Sequence, residues 1–146
     1  MGLRETQLSL SANYCQRRTM RFQFPVLPAE FEIPDSWWAD GGMTAFRLGA
    51  PSYRSSAEAV LVSLREVEPP FRNSEVIRDW RGFDRARMTL VLSGISSGAE
   101  MPPVPVVALP LADDLAGPFA YRVCDGFHRF YASVAAGFEK LPVVIR

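Results

Sequence analysis

The stretch Tyr121–Ile145, YRVCDGFHRFYASVAAGFEKLPVVI, decides the reading of this chain. It reads as strand, tight turn, helix, glycine, strand. Phe119, Tyr121 and Val123 alternate, so FAYRVC (119–124) is expected as a strand with those three on one face. Asp125-Gly126 breaks it. FHRFYASVAA (127–136) follows as a helix, Gly137 supplies its left-handed stop, and LPVVI (141–145) is a closing β-branched strand.

The chemistry of that stretch sits at its turn. His128 and Arg129 fall in the first turn of the helix, where unpaired backbone N–H groups and the positive end of the helix dipole favour an anion. Gly126 lets a ligand approach the backbone without a Cβ in the way. Arg129 offers a fork matched to phosphate or carboxylate, and His128 offers a donor. Plain structural roles fit the same residues: Arg129 paired with a structural carboxylate, Asp125 capping the helix, His128 held in an internal hydrogen bond. The residues alone leave both readings open.

Working upstream, VPVVAL (104–109) is a strand that starts at its prolines. DRARMTLVLSGI (84–95) is a helix opened by Asp84, with Met88, Val91, Leu92 and Ile95 on one stripe. SEVIRDWR (74–81) is expected as a short helix capped by Ser74, and ADDLAGP (112–118) as a turn. Residues 58–67, EAVLVSLREV, are expected as one strand through Val60, Val62, Leu64 and Val67, stopped by Pro69-Pro70. Four prolines among Phe22, Phe24, Phe31, Trp37 and Trp38 make residues 21–57 an irregular arm packed on the domain, with Asp35 or Ser36 capping a short turn that holds the two Trp and ends at Gly41-Gly42. Residues 1–20 read as a flexible N-terminal extension. The domain proper is 58–146.

Composition bounds the function. With 146 residues, 48% hydrophobic and 22% charged, the chain fits one globular domain. Sixteen basic residues balance sixteen acidic ones, so no net field draws in bulk nucleic acid or an anionic membrane. Arg72, Arg78, Arg81, Arg85 and Arg87 surround Trp80, but Glu75, Asp79 and Asp84 are interleaved, which reads as a solvated helical face. Cys15 and Cys124 form no ligand cluster, and a single His removes any multi-His metal site. No apolar run approaches the roughly 18 residues of a membrane span, and the first twenty residues lack a secretory apolar region, so the simplest expectation is a reduced, cytoplasmic protein.

DGFHRFYASVAAGFEKLPVVI resembles the signature box of the ParB N-terminal/sulfiredoxin-like superfamily (the ParB-like nuclease domain family), a Gly-x-His/Arg-Arg-x-x-Ala pattern between two strands. Gly126, His128, Arg129 and Ala132 occupy the pattern positions. Pro69-Pro70-Phe71-Arg72 is similar to the family's proline-arginine element, and MPPVPVVAL (101–109) to the strand before its signature hairpin. The resemblance spans roughly residues 58–146. It implies a small α+β fold, a mixed sheet flanked by helices, that binds a nucleoside triphosphate (ATP or CTP, with Mg²⁺). The phosphates would lie on Gly126, Phe127, His128 and Arg129. Arg85, Thr89 and Ser93, one polar row of the upstream helix, and Arg72 would complete the cradle; the same row also reads as a solvated helix face.

The departures from the family shape the expected chemistry. Phe127 stands at the sulfiredoxin nucleophile position and Cys124 lies three residues earlier on the strand, so sulfiredoxin activity is not expected. Only Asp125 and Glu139 are acidic near the signature, too few for a two-metal nuclease. Asp125 is the best-placed carboxylate for a kinase-type phosphotransferase or an NTP hydrolase, with His128 as the second catalytic candidate and Glu66, Glu68 and Glu75 further off. The sequence ends at Arg146, so the helix-turn-helix domain with which chromosome-partition relatives read DNA is not expected, nor is nucleic acid as a partner without it. The alternative is a non-catalytic interaction module or a DNA-associated accessory of the same fold, docking a partner protein or a second copy through the Trp37-Trp38 arm.

Overall fold

The computed structural model describes residues 18–71, 80–110 and 119–146. The N-terminal extension with Cys15, most of the expected 74–81 helix with its Ser74 cap, Arg72, Glu75, Arg78, Asp79 and the ADDLAGP turn lie outside the described residues.

The chain is a mixed α+β structure. In order it runs β1 (Thr19–Gln23), β2 (Glu30–Pro34), α1 (Asp35–Asp40), a 3-10 turn (Met43–Ala45), β3 (Val60–Ser63), a second 3-10 turn (Leu64–Glu66), β4 (Val67–Glu68), α2 (Arg85–Ser97), β5 (Val104–Ala108), β6 (Tyr121–Val123), α3 (Phe127–Ala136) and β7 (Lys140–Ile145). β1 and β2 form a two-stranded antiparallel sheet, and the other five form a mixed sheet in the order β3-β7-β5-β6-β4.

Residues 58–67 are not one strand. Ser63 Oγ accepts from the Arg65 N–H and turns the chain, so β3 pairs antiparallel with β7 while β4 pairs parallel with β6. These are opposite edges of the sheet. Across a flat five-stranded sheet those edges would stand about 19 Å apart. The 3-10 turn between them spans at most about 14 Å, so the sheet curls. One face of the sheet carries Val62, Val104, Val106, Leu141 and Val143, with Met88, Leu92 and Ile95 of α2 and Phe130 and Ala132 of α3 in the same core.

The proline-rich arm is also more regular than its composition suggests. Pro25 and Pro28 fall in the connection between β1 and β2, where no ladder bond is lost, and Glu30-Phe31-Glu32-Ile33 alternates out and in, with Phe31 and Ile33 buried. Phe31 meets the rings of Phe22, Phe24, Phe83 and Tyr131 at centroid distances of 5.0–6.3 Å, which fastens the hairpin onto α3 and the approach to α2. α1 holds the two tryptophans, but neither Asp35 nor Ser36 caps it: its N-cap is Pro34, with no side-chain bond. Trp37 is buried, and half-buried Trp38 lies 5.2 Å from the Phe22 ring. Trp37 therefore plugs the core, with Trp38 packed half-exposed beside it.

At 80–83 the chain makes a two-residue turn instead of ending a helix. Trp80 and Phe83 exchange backbone hydrogen bonds of 3.2 and 2.7 Å around Arg81 (φ 41°) and Gly82 (φ 89°). β6 is shorter than expected and leaves Cys124 exposed beyond it. No helix among the described residues is long and apolar enough to cross a membrane.

Candidate functional site

Two helix starts meet at one cavity. α2 begins at Asp84, whose Oδ1 accepts from the Arg87 N–H at 2.9 Å. α3 begins at Gly126, with φ 85° and no side-chain cap. Neither helix has an acidic residue within its first turn, and each carries Arg at the third helical position, Arg87 on α2 and Arg129 on α3. Cations at the positive end of a helix are locally unfavourable by about 0.3–1 kcal/mol each. Between them opens a cavity of about 390 Å³, lined by Arg87, Arg129, Asp125, Gly126 and His128 and, on its apolar side, by Leu90, Val91 and Phe127.

The turn explains why glycine stands at 126. A Cβ there would lie 2.7 Å from Arg129 Nη2, and the left-handed φ is one that L side chains rarely adopt. Asp125 does not cap α3. Its Oδ1 accepts from the adjacent Gly126 N–H at 2.8 Å, and the N–H groups of the first turn are left without a side-chain partner.

Arg129 is partly committed to the protein itself. Its Nη1 donates to the carbonyls of Pro102 and Pro103, the latter at 2.9 Å, tying α3 to the entry of β5. The guanidinium still lines the cavity. Tyr53 stands beside it, donating its hydroxyl to the same Pro102 carbonyl at 2.7 Å. Burial pushes the Tyr53 phenol up to about 12, with the Arg129 charge and hydrogen bond pulling the other way. Because that value exceeds the unfolded 10.0, the neutral phenol contributes stability in full below pH 10 and loses it as pH rises towards 12. Urea titrations at alkaline pH should show a loss of about 2–3 kcal/mol across that window. Tyr53→Phe should be less stable at neutral pH and much flatter above pH 10.

His128 is half-buried and acts as an acceptor: its Nε2 takes the Asp84 backbone N–H at 3.0 Å. The ring is then neutral, with its proton on Nδ1, the nitrogen left to donate. Its pKa lies below the usual 6.5, chiefly through burial, with the Asp84 carboxylate opposing and Arg87 adding to the fall.

The upstream row does not join the cavity. Arg85 Nη2 pairs with Asp40 Oδ2 at 3.1 Å, Thr89 Oγ1 donates to the Arg85 and Ala86 carbonyls of its own helix, and Ser93 is exposed; none of the three lines the cavity. The face of α2 that does is Arg87, Leu90 and Val91. Arg87 was legible only as part of a basic stretch. The signal that singles it out is its position three residues after a capping Asp, at a helix end that otherwise favours acids. Of the other cations near Trp80, Arg81 lies over that ring at 5.1 Å and faces Glu32 Oε2 at 3.9 Å. No group of three or more His, Cys, Asp or Glu side chains among the described residues is placed to hold a metal ion.

Comparison with protein-family models, with curated proteins and with solved structures finds no match to this chain. The geometry of the cavity is therefore the ground on which a function can be argued.

Proposed function

We propose that the cavity between the starts of α2 and α3 binds the phosphates of a nucleotide such as ATP or CTP. The observation that carries this reading is the convergence of two helix starts, each with an Arg at its third position and α3 with no side-chain cap, on one opening of about 390 Å³. An anion there faces the Arg87 and Arg129 cations and meets the amides of Phe127, His128 and Arg129, which no side chain caps. Leu90, Val91 and Phe127 give the base or sugar an apolar wall. The resemblance of the 126–132 box to the ParB/sulfiredoxin-like superfamily points to the same ligand.

The donor set suits phosphate better than a protein-held metal. Among the described residues Asp125 is the one carboxylate on the lining, and one of its oxygens is occupied by the Gly126 amide. Mg²⁺ would enter on the phosphates. The second Asp125 oxygen is the group best placed to orient an acceptor hydroxyl or water, which keeps phosphoryl transfer or NTP hydrolysis within reach of the site. His128 Nε2 is spent on Asp84, so an acid–base role would fall to Nδ1.

Calorimetric titration with ATP and with CTP, each with Mg²⁺, tests the reading. Arg87 is exposed and its backbone N–H, not its side chain, makes the helix cap, so Arg87→Ala should leave the melting temperature unchanged or slightly raised. It should weaken nucleotide binding about tenfold to a hundredfold, the effect of losing a charge-assisted phosphate contact. Absence of heat for both nucleotides, or equal affinity in the variant, would refute the proposal. Phosphate release that persists in Asp125→Asn would remove Asp125 from the chemistry.

A further inference from the structure

The imidazole of His128 joins the two helix starts. It sits at the second position of α3, and its Nε2 accepts from the backbone N–H of Asp84, the residue from which α2 springs, at 3.0 Å. Only a neutral ring can accept there; an imidazolium has N–H on both nitrogens and would set donor against donor. We propose that His128 is a proton-operated latch between α3 and α2, closed while the ring is neutral and released when it is protonated. This goes beyond anion binding and requires no ligand.

The surroundings make the two states distinct. Phe83 and Phe127 place their rings 5.9 and 5.1 Å from the imidazole and cover part of it. Burial is the main cause holding the ring neutral, and Arg87 of α2 acts in the same sense. The Asp84 carboxylate acts in the opposite sense. Among the described residues, Asp125 on the turn and Arg129 on α3 are the other charged groups that line the cavity with His128. The folded value lies below the unfolded one, so the latch contributes fully above pH 6.5 and is lost as pH falls through the folded value. What the latch holds is a segment under strain: the turn just before Asp84 keeps Arg81 at φ 41°, a left-handed conformation that costs energy for any residue bearing a Cβ. Release unties the start of α2 from α3, while the turn keeps its own Trp80–Phe83 bonds and α2 its Asp84 cap.

His128 is the only histidine in the chain, so its ring resonances are unambiguous. Nitrogen-15 spectra of the ligand-free protein should show the Nδ1–H tautomer at about pH 7.5. Hydrogen exchange of the Asp84 amide, corrected for its intrinsic pH dependence, should lose about tenfold or more of its protection on acidification, with the midpoint of the His128 titration. In His128→Gln the carboxamide oxygen accepts without titrating, so protection should persist across the range; in His128→Ala it should be low throughout. The Nε2–H tautomer at neutral pH, Asp84 protection that does not follow the ring's titration, or a His128→Gln variant with the wild-type pH dependence would each overturn the latch.

Discussion

Phe31→Ala is expected to lower the unfolding free energy by about 3–5 kcal/mol, the usual cost of removing a fully buried aromatic side chain. Phe31 is 1% exposed, and its ring is shared between the hairpin, α3 and the approach to α2, meeting Phe24, Phe83 and Tyr131 as well as Phe22. Deleting it leaves a void bordered by rings that the backbone of β2 cannot move to fill, so the cavity cost adds to the lost transfer energy. Phe22→Ala, at a half-buried position on the partner strand, should cost markedly less. Urea denaturation of the three proteins, with the slope of the transition compared, checks both the order and the size. A Phe31 variant as stable as wild type would mean that the hairpin is an appendage, and that the site is built without it.

The contrast between this hairpin and the region around the turn shows what local chemistry can and cannot disclose. α3, its Gly137 stop and β7 were readable because each is set by neighbours in sequence: a glycine with φ 89° ends a ten-residue helix wherever it falls. Asp84 as the start of α2 was readable for the same reason. The hairpin was hidden because proline density argues against strands in general, while the decisive fact is where each proline falls; here two sit in the connection. The bend at Ser63 was hidden because Val60 and Val62 belong to β3 at one sheet edge, Val67 to β4 at the other and Leu64 to the turn between, and nothing local states that.

The site shows the same division. That Gly126, His128 and Arg129 begin a helix was legible from a few residues. Which face of α2 would meet them was not, because Arg85/Thr89/Ser93 and Arg87/Leu90/Val91 differ by a rotation of the helix that only its packing on the sheet and α3 can set. The role of His128 was equally out of reach. Its partner is a backbone N–H 44 positions earlier in the chain, and backbone donors leave no mark on the amino-acid sequence.

Arg129 is the residue on which structure and function are expected to collide. Arg129→Ala should cost about 2–3 kcal/mol, since hydrogen bonds from a charged donor are worth roughly twice neutral ones and the Pro103 carbonyl is left without its donor. Pro102 retains the Tyr53 hydroxyl, which limits the damage at that oxygen. Arg129→Lys should recover about half of the stability, because the shorter lysine side chain does not bring its ammonium to the place Nη1 holds between the two carbonyls. Nucleotide affinity should behave differently. Alanine removes a cation from the cavity and should weaken binding by tenfold or more, whereas lysine restores the charge and should recover most of the loss. Thermal denaturation and calorimetry on the same two variants separate the effects. If affinity tracks stability through both substitutions, the guanidinium serves the phosphates only by holding α3 against β5. If lysine rescues affinity while stability stays low, its charge faces the ligand directly.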